Sequence, residues 1–366
     1  MTFEIFLVGP PGLEDALAAE ARAAGFEVTG TLPGGVTLSG GWPEVWRANV
    51  VLRGPTRVLA RVAEFRAFHL AQLDKRARKV DWASVLRPDV AVRVEASTSK
   101  SKIYHAKAAA QRIERAIAEE LGAPIAADAP VQVKVRIDDN LVTVSVDTSG
   151  ESLHKRGHKL YTGKAPIRET MAALMLRACG YDGAEPVVDP MCGSGTFVIE
   201  AAEIALGLLP GRDRAFAFEQ LANFDAAALS ALRAEPPRAT GLRFYGSDRD
   251  QGAIKGASEN AARAGVAAVT AFTRAAVSDL ARPEGPPGLV MINPPYGGRI
   301  GERKPLFALY GSLGAVLRER FSGWRVGLVT DDGGLAKATG LPFEPVGPPI
   351  AHGGLKVKLY RTGPLA

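Results

Sequence analysis

The chain has 366 residues, 46% of them apolar and 23% charged, with a net charge of +6. That length exceeds what a single hydrophobic core usually supports, so two or three domains are expected, and the ordinary apolar fraction excludes a disordered chain. The longest apolar stretches are interrupted, as Ile199 to Leu209 is by Glu200 and Glu203, the start Met1-Thr2-Phe3-Glu4 carries no secretory pattern, and two cysteines make neither a disulfide framework nor a zinc cluster, which predicts a cytoplasmic protein without membrane or metal partners.

Residues 1–50 open with a strand-like Phe3-Glu4-Ile5-Phe6-Leu7-Val8 and a Gly-Pro-Pro-Gly turn. A helix follows from about Leu13 to Ala24, stopping at Gly25, and two strand-like pieces flank Leu32-Pro33-Gly34-Gly35. This is a small α+β unit. Between Val51 and Lys107 stand 13 basic residues against five acids, so that window nets +8 and the rest of the chain −2. Such concentration is the footprint of a polyanion partner, although on charge alone a solvated basic face reads equally well.

Within that window Val90-Ala91-Val92-Arg93-Val94-Glu95 alternates as a half-buried strand does. It leads through Ser97-Thr98-Ser99-Lys100-Ser101-Lys102 into a helix from about Ile103 to Leu121, ended by Gly122. Val131–Ile137 and Leu141–Val146 alternate in turn, joined by Asp138-Asp139-Asn140, which is a hairpin signature. The basic start of the helix, with Lys100, Lys102 and Lys107, is the expected RNA-facing edge. A second basic run, Lys155 to Arg168, carries five positive charges and no acid, and adds Lys155 and Arg156 to the expected RNA contacts.

From Glu185 onward short apolar strands alternate with helices, the signature of a doubly wound parallel sheet. Strands are expected near 186–189, 242–247, 269–273, 289–293 and 325–330, and helices near 194–207, 250–264 and 304–320. Residues 349–352 and 355–360, around Gly353-Gly354, read as a closing antiparallel hairpin.

Val187-Val188-Asp189-Pro190-Met191-Cys192-Gly193-Ser194-Gly195-Thr196 is a strand, a glycine-bearing loop and a helix start. Gly193 and Gly195 allow close approach of a ligand, and the helix N-terminus favours its carboxylate or phosphate. A nicotinamide-binding loop would carry a third glycine where this chain has Val198, so a methyl donor fits better than a dinucleotide. Tyr245-Gly246-Ser247-Asp248 ends the next strand with an acid able to accept from both ribose hydroxyls of that donor, provided an insertion near Leu208 to Arg238 is spliced between them. Asp250 reads as the cap of the following helix. Asp279 falls where a third loop would meet the adenine amine, a position that surface or capping acids also take.

Val290-Met291-Ile292-Asn293-Pro294-Pro295-Tyr296-Gly297 is the sharpest feature. An apolar strand runs straight into a polar amide on a backbone stiffened by two fixed φ angles. The Asn293 side-chain oxygen and the Pro294 carbonyl can accept from a planar NH2 group, and Tyr296 offers a ring on which a flipped base stacks.

In this order the motifs resemble class I methyltransferases of the N-type, whose Asn/Asp-Pro-Pro-Tyr/Phe loop binds the target amine. With Ser149-Gly150-Glu151-Ser152-Leu153-His154-Lys155-Arg156-Gly157 and Ala165-Pro166-Ile167-Arg168-Glu169 added, the chain is similar to bacterial RNA guanine-N2 methyltransferases with a THUMP domain, particularly those acting on large-subunit (23S) ribosomal RNA. The resemblance implies an α/β protein: a Rossmann-like class I methyltransferase domain over 156–366, preceded by an α+β module made of a ferredoxin-like portion (1–50) and a THUMP RNA-binding domain (51–155). It also implies S-adenosylmethionine as cofactor and RNA as partner, ribosomal RNA first and transfer RNA as the alternative. Asn293, Pro294, Pro295 and Tyr296 would then hold the guanine amine, and Asp189, Gly193, Gly195, Thr196, Asp248 and Asp279 the donor. Larger relatives carry a second methyltransferase domain, which this sequence ends before. Protein-glutamine and DNA-adenine methyltransferases share the amine loop, and a non-catalytic RNA-binding or assembly factor could share the fold; the +8 window argues against a protein substrate.

Overall fold

The computed structural model describes residues 2–163, 166–296 and 303–366. Lys164 and Ala165 of the second basic run, and Gly297 after the Asn-Pro-Pro-Tyr segment, lie outside the described residues. The first half runs β1 (Phe3–Val8), α1 (Glu14–Ala23), β2 (Glu27–Leu32), β3 (Gly35–Gly40), α2 (Trp42–Val51), β4 (Arg57–Arg66), α3 (Leu70–Ala77), β5 (Val92–Ser99), α4 (Ala106–Leu121), β6 (Val131–Asp138) and β7 (Leu141–Asp147). It continues with α5 (Glu169–Ala178), β8 (Val187–Asp189), α6 (Thr196–Ala205), α7 (Ala226–Arg233), β9 (Phe244–Asp248) and α8 (Gln251–Arg263). The last elements are β10 (Thr270–Arg274), β11 (Leu289–Ile292), α9 (Arg303–Arg320), β12 (Arg325–Thr330), α10 (Gly333–Ala338), β13 (Ile350–His352) and β14 (Leu355–Arg361).

Two compact units result: one of residues up to Gly9, Ala21–Leu153 and Pro210–Glu235, the other of Pro10–Glu20, His154–Leu209 and Pro236–Ala366. The sheet of the first unit has the order β2-β3-β1-β4-β7-β6-β5, antiparallel throughout except for the β5–β6 pair. β4 pairs with β1 on one side and β7 on the other, so the ferredoxin-like and following portions share one continuous sheet. The excursion between α6 and β9 belongs to this unit. Its Phe218 is fully buried between Phe216, with ring centroids 4.9 Å apart, and Trp46, at 6.4 Å. Backbone bonds from Gly211 to Val50 and from Phe218 to Thr148 fasten it.

The second unit holds a sheet of order β10-β9-β8-β11-β12-β14-β13, parallel from β10 to β12 and antiparallel at β14 and β13. All four residues of β11, Leu-Val-Met-Ile, are buried, as the run of apolar residues in a central parallel strand requires. After β8 the chain winds to β9 and β10 on one side, then crosses to β11 and β12 on the other. The crossover leaves a crevice at the carboxyl ends of β8 and β11, where open α/β sheets bind ligands.

Candidate active site

Three adjacent strands, β9, β8 and β11, deliver the motif residues to one sheet edge. Asp189 ends β8 in register with Gly246, Asp248 ends β9 two residues later, and Asn293 follows the last residue of β11. Because the strands are parallel, all three polar side chains arrive at the same carboxyl edge.

The glycine loop is shaped by contacts that exclude larger residues. Gly195 has φ +79°, and a Cβ there would sit 3.1 Å from both Ala257 and the Phe272 ring, so strain and crowding both select glycine. Gly193 has φ +51° with open space where its Cβ would be, which leaves the backbone accessible to a ligand. Its amide N–H donates to Asp248 Oδ2 at 3.1 Å, while Asp248 Oδ1 accepts from the Asp250 amide at 3.0 Å. Each carboxylate oxygen keeps a lone pair for a hydroxyl donor. Asp250 caps α8 through the Gly252 amide at 2.8 Å, as expected.

Asp189 is 2% exposed and accepts the Met191 amide at 3.0 Å. Burial pushes its carboxyl up to about 8, with the nearby Asp248 charge adding to the rise and the Met191 bond opposing it. Such a carboxyl gains from a ligand that brings a positive charge or N–H and O–H donors. Cys192 is buried beside the two aspartates, and burial with their charges holds its thiol well above the usual range. The Thr196 hydroxyl lies 3.2 Å from the Ser194 hydroxyl and 3.3 Å from the Lys159 ammonium. Asp279 is exposed in a 3-10 turn (Val277–Asp279) beyond β10, with its neighbour Ser278 donating to it at 3.2 Å.

At the end of β11, Asn293 is half-buried and Pro294 buried. Tyr310 of α9, fully buried, donates to the Pro295 carbonyl at 3.3 Å and tethers the dipeptide. Tyr296 is 8% exposed, so in this conformation its ring is packed inward rather than open to a stacking base. Burial, with Asp331 nearby, pushes its hydroxyl up to about 12.

Residues that carry no motif complete the site. Asn260 of α8 is fully buried and bridges two segments. Its Nδ2 donates to the carbonyls of Tyr161 (2.9 Å) and Ser194 (3.1 Å), and its Oδ1 accepts the amides of Leu160 and Tyr161 at 3.2 Å. Arg263 adds a bond to the His158 carbonyl at 2.9 Å. The Tyr161 ring thereby lies directly on Gly256, where any Cβ would come within 2.2 Å of it. Asn260 had a readable signal: it occupies the buried stripe of α8 formed by Ala253, Ile254, Ala257 and Ala261, a polar residue on an apolar face.

The expected RNA contacts divide. Lys100, Lys102, Lys107 and Lys155 are exposed. Arg156 is not available to a phosphate: its side chain is 2% exposed and its guanidinium holds Glu200 and, at 3.1 Å, Glu203. The acids that compensate Arg156 come from α6, far from it in sequence. Lys159 likewise pairs with Glu169 at 3.2 Å, and burial draws its ammonium below the usual lysine range. Among the described residues no cluster of metal-binding side chains occurs and no helix is long and apolar enough to cross a membrane.

Residues 4–59 match the RlmL ferredoxin-like domain, and residues 156–342 match the family described as RMKL-like, methyltransferase domain. The chain is 34% identical to the ribosomal RNA large subunit methyltransferase K/L of Chromohalobacter salexigens, over 99% of this chain and 51% of that protein. It spans about half the length of the curated relatives it matches. Among solved structures, SMU.472 in complex with SAH is 28% identical with a TM-score of 0.89, covering 100% of this chain and 99% of the other. A predicted N6-adenine-specific DNA methylase from Listeria monocytogenes matches equally well, at 28% identity and TM-score 0.89 over 100% and 97%. With the family match covering the glycine loop, Asp248 and Asn293 to Tyr296 alike, the chain belongs to the RMKL-like methyltransferase-domain family.

Proposed function

We propose that this chain transfers a methyl group from S-adenosylmethionine to the exocyclic N2 amine of a guanine in 23S ribosomal RNA. The observation that carries the reading is the convergence of Asp189, the Gly193–Gly195 loop, Asp248 and Asn293 at the carboxyl ends of three adjacent parallel strands. The buried Asp189 carboxyl, the open backbone at Gly193 and the spare lone pairs of Asp248 suit a nucleoside with a cationic tail. The SAH held by SMU.472 and the ribosomal RNA named for the curated relative support donor and substrate in turn.

When bound, the donor supplies a methyl group already activated on a sulfonium, so positioning provides much of the rate. Asn293 Oδ1 and the Pro294 carbonyl would accept the two N–H bonds of the target amine and so direct its lone pair at the donor; as the N–C bond forms and the S–C bond breaks, S-adenosylhomocysteine would leave and one of these hydrogen-bonded amine protons would pass to water. Pro294, Pro295 and the bond from Tyr310 keep those acceptors fixed. Thr196 and Asp279 complete the donor side in this proposal. Residues 1–50, 51–155 and 156–366 serve as ferredoxin-like portion, THUMP RNA-binding domain and methyltransferase domain, with Lys100, Lys102, Lys107 and Lys155 on the RNA and the reaction cytoplasmic.

The Listeria neighbour's name favours a second reading, an adenine amine in DNA, because the same loop grips either planar amine. Nucleoside mass spectrometry of ribosomal RNA, transfer RNA and DNA from deletion and complemented strains separates them. Loss of N2-methylguanosine from large-subunit RNA is expected. Loss confined to N6-methyladenine in DNA supports the second reading, loss confined to transfer RNA moves the substrate, and no loss in any pool refutes both.

A further inference from the structure

Three loops meet at one end of the first unit's sheet: Ala67–His69 after β4, Lys100–His105 between β5 and α4, and the Asp139-Asn140 turn between β6 and β7. Asn140 is their common brace. Its side-chain oxygen accepts the Lys102 amide at 2.9 Å, its own amide donates to Ser101 Oγ at 2.9 Å, and its carbonyl accepts the Ala67 amide at 2.9 Å. The Asp139 amide adds a bond to the Ser99 carbonyl, and Arg66 reaches the Asp139 carbonyl at 3.1 Å. Lys100, Asp139 and Asn140 are the non-glycine residues with positive φ among the described residues, and all lie in these loops. Local bonding therefore holds the loops in shape although they are exposed.

This braced edge presents aromatic rings to solvent. Tyr104 is 72% exposed and Phe68 40% exposed, both far more than a large apolar side chain requires for packing. The Tyr104 ring leans on His105, centroids 4.1 Å apart, and the Lys102 ammonium sits 5.5 Å from the centre of the Phe68 ring. Arg66, Lys100, Lys102 and Lys107, carried by these loops and the elements that flank them, are exposed as well. Of the nearby acids, Asp138 is already paired with Arg136 at 2.9 Å.

Exposed rings on a braced edge among cations match one chemistry. In a duplex the base faces are covered by their neighbours, whereas unpaired bases expose a π-face every nucleotide beside a phosphate. We infer that Tyr104 and Phe68 form a stacking platform for unpaired bases of single-stranded RNA, with Lys100, Lys102 and Lys107 on the flanking phosphates. The inference rests on the reading that this chain acts on RNA and specifies which state of RNA its first unit selects.

The test is fluorescence anisotropy of the full chain with a short labelled uridine-rich RNA, single-stranded or annealed to its complement, at several salt concentrations. The wild type should prefer the single strand. Tyr104→Ala should weaken single-strand binding about tenfold, with Tyr104→Phe close to wild type and Phe68→Ala intermediate. Lys102→Ala should weaken both RNAs and reduce the salt slope by about one. Equal affinity of Tyr104→Ala and wild type for the single strand, or equal wild-type affinity for the two RNAs, overturns the platform while leaving the RNA reading in place. Binding of neither RNA by the wild type overturns both.

Discussion

The amide of Gly193 donates to Asp248 Oδ2 at 3.1 Å, so the loop after β8 is held by the acid that ends β9. In the proposed reading this one carboxylate has two tasks, shaping the glycine loop and receiving the ribose hydroxyls. Asp248→Ala removes both, and the affinity for S-adenosylhomocysteine should fall on the order of 100-fold, since bonds to a charged acceptor contribute about 1.5–3 kcal/mol each. Calorimetric titration of the two proteins checks this. Unchanged affinity would separate Asp248 from the donor.

Asp189 should make donor binding sensitive to pH. Its folded-state value near 8 lies above the ordinary 3.8, so the unliganded protein binds an extra proton between those limits. The stability contributed by Asp189 is then fully present below about 4 and is lost as pH rises toward 8. Asp189→Asn should flatten that part of the melting-temperature profile between pH 5 and 8. A donor that requires the ionised carboxylate must expel the proton, so wild-type affinity for S-adenosylhomocysteine should rise with pH, by at most about tenfold per unit, and level off above 8. A flat binding profile over this range would contradict the role.

Asn293→Ala should separate chemistry from donor binding. In the proposed reading the amide meets the target amine, and residues of β8 and β9 hold the donor. Methyl transfer should drop by about a hundredfold or more, as for loss of a preorganised polar group at a reacting centre, with donor affinity within a factor of about two. A parallel loss of donor affinity would place Asn293 on the donor instead.

Much of the second unit was legible because parallel strands buried on both faces leave short apolar runs, as in β8, β11 and β12, and because Asp250 caps α8 with its own neighbours. Local chemistry writes local signals. β4 was illegible since the register slips between Arg61 and Ala63 against β7, which breaks the alternation that would mark it. α5 is buried over eight consecutive residues, Glu169 to Leu176, and so shows no polar face to set a helical period. The roles of Asn260 and Arg156 depend on partners far off in the chain: Glu200 and Glu203 are 44 and 47 residues from Arg156. Window-based charge counting adds Arg156 to a basic run, whereas the fold spends its charge internally.

Asn260 should prove more important to the donor site than its surroundings on α8 suggest. Removing its amide leaves the buried carbonyl of Ser194 and the backbone of Leu160 and Tyr161 without these bonds, at about 1–3 kcal/mol for each group left unsatisfied. Asn260→Ala should therefore lower the denaturant midpoint and weaken S-adenosylhomocysteine binding together. Gly256→Ala tests the same seating without touching a hydrogen bond, because its Cβ would drive into the Tyr161 ring. If both variants bind the donor like wild type, the Leu160–Tyr161 segment has no part in that site.

Arg156 distinguishes a buried ion pair from an RNA contact. Its guanidinium lies between Glu200 and Glu203, with side-chain exposures of 2%, 1% and 0%. Arg156→Ala removes the buried guanidinium that holds both carboxylates, which should cost about 3–5 kcal/mol in chemical denaturation. Adding Glu200→Gln and Glu203→Gln to the variant removes the two buried negative charges as well and should restore part of that loss, an outcome a surface arginine would not produce. The salt dependence of RNA binding gives the second readout, since each phosphate contact contributes a slope of about 0.7–0.9. The restored variant should keep the wild-type slope, in contrast to Lys102→Ala. A slope reduced by about one in that variant would return Arg156 to the RNA surface.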